Sequence, residues 1–266
     1  MPAPKNHFKA ALKAHRPQIG LWLNMAEALT AEIAGHAGFD WLVIDGEHGP
    51  NDLRSILAQL QALSASPSEI VVRPPVGETW IVKQLLDIGA RTLLVPMVDS
   101  AEQAKALVRA VRYPPQGVRG LGAAVARVSG FNAIPDYAET AAGEICLIVQ
   151  AETMAAIRDL ENIAAVDGID GIFIGPADLS ADMGYLGRME APEVQEVIEK
   201  AIATIVKAGK AAGILTFSES LNRHYLDLGA SFVAVGADVT EFSGALRALA
   251  GRYGRGSGAG KPRSGY

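Results

Sequence analysis

The chain has 266 residues, 49% of them apolar and 20% charged, with a formal net charge of −5. That balance belongs to a folded protein with a sizeable core and excludes a disordered or nucleic-acid-coating chain, since no basic stripe or aromatic-plus-basic cluster offers itself to a phosphate backbone. The length suits a single α/β barrel of about 250 residues, and no apolar stretch approaches the ~18–20 residues that a membrane crossing needs.

The N-terminal stretch MPAPKNHFKAALKAHRPQ lacks the uninterrupted apolar region of a signal peptide. Strand-like apolar runs then follow in order: IGLWLN (19–24), WLVIDGE (41–47), IVVRPP (70–75), TLLVPMV (92–98), CLIVQAE (146–152), GIFIGPAD (171–178), AGILTFS (212–218) and FVAVGAD (232–238). Between them lie segments of helical periodicity such as NDLRSILAQLQAL, SAEQAKALVRAVRY, TMAAIRDLENIAAV and PEVQEVIEKAIATIVKAGKAAG. Glycine punctuates the returns in HAGFDWLVI, DIGARTLLV, VDGIDGIFI and DLGASFVAV, where it supplies a left-handed helix stop. Repeated β/α units with near-continuous apolar strands predict a (β/α)8 TIM barrel over 1–253, with an open doubly wound sheet as the alternative.

Residues 113–143 interrupt this rhythm with a Gly- and Pro-marked excursion, expected to form a binding loop. The tail from 254 to 266 is Gly/Ser-rich and expected to be disordered. The sole cysteine, Cys146, sits in the apolar ICLIV and reads as a buried, reduced thiol, which with the N-terminal stretch predicts a cytoplasmic protein. Two motif look-alikes fail on context: GAGK in the tail has no P-loop glycine upstream and Pro262 follows it, and GLGAAVA at 120–126 is not in a first βα turn.

Active sites of such barrels lie at the C-terminal strand ends. Those ends carry Trp22, Asn24, Asp45, Glu47, His48, Arg73, Gln150, Glu152, Asp178, Thr216, Ser218 and Asp238. Strand alternation points Gln150 and Glu152 together into the mouth, and Asp45 and Glu47 likewise. A buried carboxylate needs a compensating positive charge, and Glu152 with Asp178, water and substrate oxygens makes the all-oxygen shell suited to Mg²⁺ or Mn²⁺. Zinc lacks its usual His/Cys spacing here. The plainer alternative is that both acids cap the helices that follow them.

In GPADLS the free amides of Ala177 and Asp178 could face a carboxylate. Arg73, locked by two prolines, could hold its guanidinium over the same point or simply pair with a rim acid. His48 in the glycine-flanked DGEHGP reads as a reactive imidazole, or as a surface histidine, with Asp45 placed to orient it. The nine lysines fall at 5, 9, 13, 83, 105, 200, 207, 210 and 261, none at a strand end, so Schiff-base chemistry is not expected and carbanion stabilisation falls to a metal.

WLVIDGEHGPND, VVRPP, TLLVPMVDSAEQA, YPPQGVRGLG, IVQAET, GIFIGPADLSADMG and FVAVGAD, in collinear order from about residue 18 to 250, together resemble the HpcH/HpaI aldolase family of metal-dependent pyruvate aldolases. The resemblance implies a (β/α)8 barrel with an exchanged C-terminal helix, assembled as a homohexamer of paired barrels. It implies Glu152 and Asp178 as ligands of Mg²⁺ or Mn²⁺, with Co²⁺ a further candidate, and Gln150 with the Ala177 and Asp178 amides as the pyruvate-binding groups. His48 is similar to the family's base and Arg73 to its enolate-stabilising residue, while Asp87 matches an acid that raises the histidine's basicity from an adjacent subunit. Trp22, Leu121 and Leu215 resemble the aldehyde lining. The implied reaction is reversible cleavage of 4-hydroxy-2-oxo acids to pyruvate, or hydroxypyruvate, and an aldehyde, with no nucleic-acid or membrane partner. A CoA-thioester lyase of the citrate lyase beta-subunit type and a silent barrel that senses an oxo acid are the rival readings.

Overall fold

The apolar runs become strands because both of their faces are covered, one by the barrel interior and the other by helices. The computed structural model describes residues 1–255. In it β1 (Gln18–Leu23), β2 (Trp41–Asp45), β3 (Glu69–Arg73), β4 (Thr92–Val95), β5 (Cys146–Ala151), β6 (Gly171–Ile174), β7 (Ala211–Leu215) and β8 (Phe232–Ala237) close in sequential order. Every neighbouring pair is parallel, β8 with β1 included. The barrel, not the open sheet, is therefore the fold.

Two cores result. The larger one lies between strands and helices, from Leu42 and Val72 to Ile198 and Ile214. The smaller one fills the barrel with Trp22, Trp41, Phe173 and Phe232, and it is completed from below by Phe8 and Leu12 of the helix His7–Lys13. Phe8 lies 5.6 Å from the Trp41 ring and 5.9 Å from the Phe232 ring, within aromatic contact distance. Asn6 caps that helix through Lys9 N–H and anchors it by donating to Thr92 Oγ1 at 3.0 Å. Lys9 Nζ reaches the Ile145 carbonyl at 2.6 Å and Asp170 at 3.1 Å. The N-terminal end of the barrel is sealed, so approach is from the C-terminal end. Cys146 is buried in this interior, and burial pushes its thiol well above the ordinary range, in keeping with an inert residue.

Three predicted elements differ. The segment 153–166 is two short helices, Met154–Arg158 and Leu160–Ala164, with the break at Asp159, whose carboxylate accepts from Ala101 N–H at 2.7 Å. The helix from Pro192 ends at Lys207, and Ala211–Gly213 already belong to β7. The excursion 113–143 is not a plain loop: it holds two 3-10 turns, Ala123–Val125 and Arg127–Ser129, and begins the helix Tyr137–Glu144. Of the predicted tail, 256–266 lie outside the described residues.

Glycine makes room for the inner aromatic layer. A Cβ at Gly213 would stand 2.2 Å from the Phe232 ring, whereas one at Gly143 would meet nothing within 4 Å. Gly213→Ala is therefore expected to lower stability by about 1–3 kcal/mol through overpacking, while Gly143→Ala is neutral or gains up to about 1 kcal/mol. Urea midpoints of the two variants beside wild type check this; equal midpoints for all three would contradict the packing account.

Candidate active site

The strands end in a cavity of about 370 Å³ bordered by Trp22, Asp45, His48, Arg73, Gln150 and Asp178. Its charge arrangement begins with strand register. Asp45 and Arg73 are direct partners at the ends of β2 and β3, and the pair is buried, with Asp45 wholly inaccessible. Arg73 Nε donates to Asp45 Oδ1 and its Nη2 to Oδ2, both at 2.8 Å, a bidentate fork. Its Nη1 stands 2.8 Å from Glu47 Oε2, as an ion pair without hydrogen-bond alignment. Asn24 Nδ2 donates to Asp45 Oδ2 at 2.6 Å. Burial raises the Asp45 pKa, but the Arg73 bonds and charge, with the amides of Glu47 and His48, outweigh it and hold the carboxyl below its ordinary value. Glu47 goes the other way: burial dominates, Arg73 offsets part of it, and Asp45 and Asp178 push the pKa up further.

Glu152 follows β5 and is 1% exposed. Its Oε1 accepts from the Met97 amide at 2.8 Å, and its Oε2 accepts from Gln150 Nε2. Met97 takes a left-handed backbone (φ 55°) to present that amide. Burial drives the Glu152 pKa up to about 7, against the Gln150 and Met97 bonds, and Glu47 and Asp178 add to the rise. Gln150 gives its Nε2 to Glu152, and its buried Oε1 has no partner. Each Glu152 oxygen thus has a single donor and the Gln150 oxygen beside them has none, so oxygen ligands of the kind a hard cation takes are gathered in a buried place. Gly175 permits this closeness, since a Cβ there would stand 2.4 Å from Glu152 Oε2.

Asp178 lies in the first turn of the helix Pro176–Asp182, which has no side-chain cap. The first bond of that helix runs from Leu179 N–H to the Gly175 carbonyl, so the amides of Ala177 and Asp178 precede it and have no intrahelical acceptor. The helix-cap alternative is not what either acid does: Thr153 caps the helix after Glu152, and Glu152 bonds an amide that follows β4.

Trp22, Asp45, His48, Arg73, Gln150, Ala177, Asp178 and Leu215 all border the cavity, with Arg73 Cζ 5.2 Å from the centre of the Trp22 ring. One expected role is corrected. Asp45 does not orient the His48 ring; it accepts from the His48 backbone amide at 3.4 Å and is otherwise committed to Arg73 and Asn24, while His48 Nε2 lies 4.0 Å from Glu47 Oε2. Asp87 and Leu121 do not reach their own barrel mouth. Asp87 is bound by Arg119 Nη2 at 3.0 Å beside Gly122, and Leu121 is exposed on the excursion. Ser218 caps a helix and Asp238 accepts the amides of Asn24, Met25 and Val239, so both are structural. Sequence reasoning missed Met97, which contributes only its amide, and Phe217, which borders the cavity; neither residue type signals such a role.

The model of the HpcH/HpaI aldolase/citrate lyase family matches residues 18–245. This chain belongs to that family. It is 72% identical over 266 residues to a hydroxypyruvate/pyruvate aldolase of Agrobacterium fabrum, covering 100% of each chain. It is 55% identical over 258 residues to a 4-hydroxy-2-oxo-heptane-1,7-dioate aldolase of Shigella sonnei, covering 97% of this chain and 98% of the other. Among solved structures, a family protein from Burkholderia cenocepacia superposes with a TM-score of 0.91 at 38% identity, over 94% of this chain and 100% of that one.

A carboxyl whose folded pKa is raised favours the fold below its unfolded value and loses that contribution as pH climbs through the folded one. In metal-free protein Glu152 should therefore become a burden between about pH 4.5 and pH 7. Glu152→Gln is expected to gain stability relative to wild type across that interval, read as the difference between their denaturation midpoints. A difference independent of pH would show that the carboxylate is already neutralised.

Proposed function

We propose that this family member is a divalent-metal-dependent aldolase that reversibly cleaves 4-hydroxy-2-oxo acids into pyruvate, or hydroxypyruvate, and an aldehyde. The observation that carries this reading is Glu152, a buried carboxylate held at a pKa of about 7 beside an unpartnered amide oxygen and a second acid, Asp178. Glu152 and Asp178 would hold the ion, with water and the 2-oxo acid completing an oxygen shell suited to Mg²⁺, Mn²⁺ or Co²⁺. When bound, it supplies Lewis-acid polarisation of the ketone.

The chain's own groups perform the rest. The free amides of Ala177 and Asp178, with Gln150, hold the carboxylate end of the substrate. In cleavage His48 removes the 4-hydroxyl proton, the C3–C4 bond breaks with its electron pair passing to C3, and a returning proton makes the methyl group of pyruvate. Arg73, fixed by Asp45, offsets the negative charge that develops on the former ketone oxygen. Among the described residues no lysine borders the cavity, which supports a route without an imine. Among the described residues of this chain the one arginine that borders the cavity is already paired and leaves no free cation there for the phosphates of a CoA thioester, which favours the aldolase over the CoA lyase.

The C-terminal helix Asp238–Arg252 supports the exchanged, hexameric arrangement. It buries none of its own residues and exposes Phe242, Leu246 and Leu249. On the barrel, the helix Ala28–Gly35 leaves Leu29 and Ile33 exposed. A second copy covering these faces is the arrangement that could also bring Asp87 and Leu121 to a neighbour's mouth.

Substitution, chelation and assembly measurements test the reading. His48→Ala should reduce retro-aldol turnover by about 100-fold or more. Arg73→Ala should do the same and, by leaving buried acids unpaired, lower stability by about 3–5 kcal/mol. Exhaustive chelation should abolish both turnover and exchange of pyruvate methyl protons with D₂O, and added Mg²⁺ or Mn²⁺ should restore them. Undiminished exchange after chelation would remove the metal from the mechanism. Separately, Phe242→Asp with Leu246→Asp should reduce the assembly mass measured by light scattering; an unchanged mass would refute the exchange.

A further inference from the structure

Beside Arg73 the cavity holds a neutral amide whose accepting end is unused. Asn24 follows directly on β1 and borders the cavity. Its Nδ2 donates to Asp45 Oδ2 at 2.6 Å, the same oxygen that accepts from Arg73 Nη2 at 2.8 Å. A carboxylate kept ionised by its arginine can only accept, so this contact fixes which end of the amide faces Asp45. Asn24 Oδ1 is left on the other branch and, among the described residues, accepts no hydrogen bond.

The amide is held in place. Asn24 N–H donates to Asp238 Oδ1 at 2.8 Å, and the turn after β2 packs so closely that a Cβ at Gly49 would stand 3.2 Å from the Asn24 carbonyl oxygen. Asp45 is wholly inaccessible and Arg73 is 6% exposed, so the pair that anchors the amide lies at the base of this chain's own barrel mouth and not on its outer rim. Other uncharged groups bordering the cavity are spent or lie elsewhere: Thr240 Oγ1 donates to the Ala237 carbonyl at 2.7 Å, and the unpartnered Gln150 Oε1 belongs to the Glu152 side.

Chemistry limits what Asn24 Oδ1 can meet. It gains nothing from an aldehyde, ketone or carboxylate oxygen, which are acceptors themselves, and it stays unsatisfied beside a methyl group. It needs a hydroxyl. With Arg73 facing the oxygen on C2 of the 2-oxo acid, as proposed above, the amide that shares Asp45 Oδ2 with that arginine stands beside C3, one bond further along. Pyruvate carries only hydrogens on that carbon, whereas hydroxypyruvate carries a hydroxyl.

We infer that Asn24 accepts a hydrogen bond from a hydroxyl on C3 of the nucleophilic substrate and so makes hydroxypyruvate preferred over pyruvate. This rests on the aldolase reading and deepens it, because it assigns which 2-oxo acid supplies the enolate. Asn24 is here a specificity-determining residue.

The test uses the assembled, Mg²⁺-loaded enzyme with acetaldehyde as acceptor and compares hydroxypyruvate, pyruvate and 2-oxobutanoate by kcat/KM; 2-oxobutanoate has a methyl group where hydroxypyruvate has its hydroxyl. Wild type should favour hydroxypyruvate over 2-oxobutanoate by about tenfold or more. Asn24→Ala also removes a bond to Asp45 and should slow all three substrates, so the readout is the ratio, which should fall by about tenfold towards the intrinsic reactivities. Equal use of 2-oxobutanoate and hydroxypyruvate by wild type would overturn the inference whether or not the variant folds. A parallel loss on all three substrates in Asn24→Ala would overturn it too, since that is the result of a purely structural role or of a bond to the C4 hydroxyl. No turnover of any 2-oxo acid by wild type would instead sink the aldolase reading, and this inference with it.

Discussion

A charge without a partner cannot be kept inside a protein cheaply, and the mouth of this barrel gathers several carboxylates around one guanidinium. Arg73 satisfies Asp45 completely and Glu47 in part. Among the described residues Glu152 forms no ion pair with a cation; it is bonded only by the Met97 amide and the Gln150 side chain. The two buried acids consequently diverge, with Asp45 pulled below its ordinary range and Glu152 driven up to about 7. One is a fixed anion that holds an arginine in place. The other has no arginine bonded to it, and burial draws it towards its neutral form.

That division depends on the barrel being rigid at its closed end and open at the other. Register sets Asp45 opposite Arg73 before any side-chain contact is made. The aromatic layer of Trp22, Trp41, Phe173 and Phe232, with Phe8 beneath it, fills the interior so that the strand ends cannot collapse inward. Glu47, Glu152 and Asp178 all lie beyond the last paired residue of their strands. There the ladder stops constraining side chains to alternate, and polar groups converge from several strands without breaking the core.

How much of this was legible in the sequence follows from the same physics. Eight strands could be read because burial on both faces leaves unbroken apolar runs, and the acids that end those runs marked the end that holds the cavity. The predicted strand ends run too far, since GE after Asp45 and GPAD after Ile174 continue the pattern of residues but not the pairing. The helix His7–Lys13 was not recognised as a plug, because its contribution rests on two residues, Phe8 and Leu12, whose partners are distant in sequence. The Asp45 role was misread for a similar reason: His48 is its neighbour in the chain, but Arg73, across the sheet, is its partner in space. Met97 contributes a backbone amide, which every residue has, so nothing in its identity could have announced it.

The excursion between β4 and β5 is held away from the mouth of its own barrel. Arg119 is fully buried, stacked 4.5 Å over the Tyr113 ring and 5.8 Å from that of Tyr137, with Nη2 on Asp87. This clamp holds Asp87 at the end of its helix and ties the excursion to it, away from their own barrel mouth, while Leu121 projects into solvent two residues further on. A segment fixed so firmly in an outward position does nothing for its own cavity. The C-terminal helix, with no buried residue, poses the same physical problem on another face. Two separate elements thus expose what a folded chain ordinarily buries, and both are accounted for by one arrangement, the proposed assembly, in which each copy covers the apolar helix of another and lends its excursion to a neighbouring mouth.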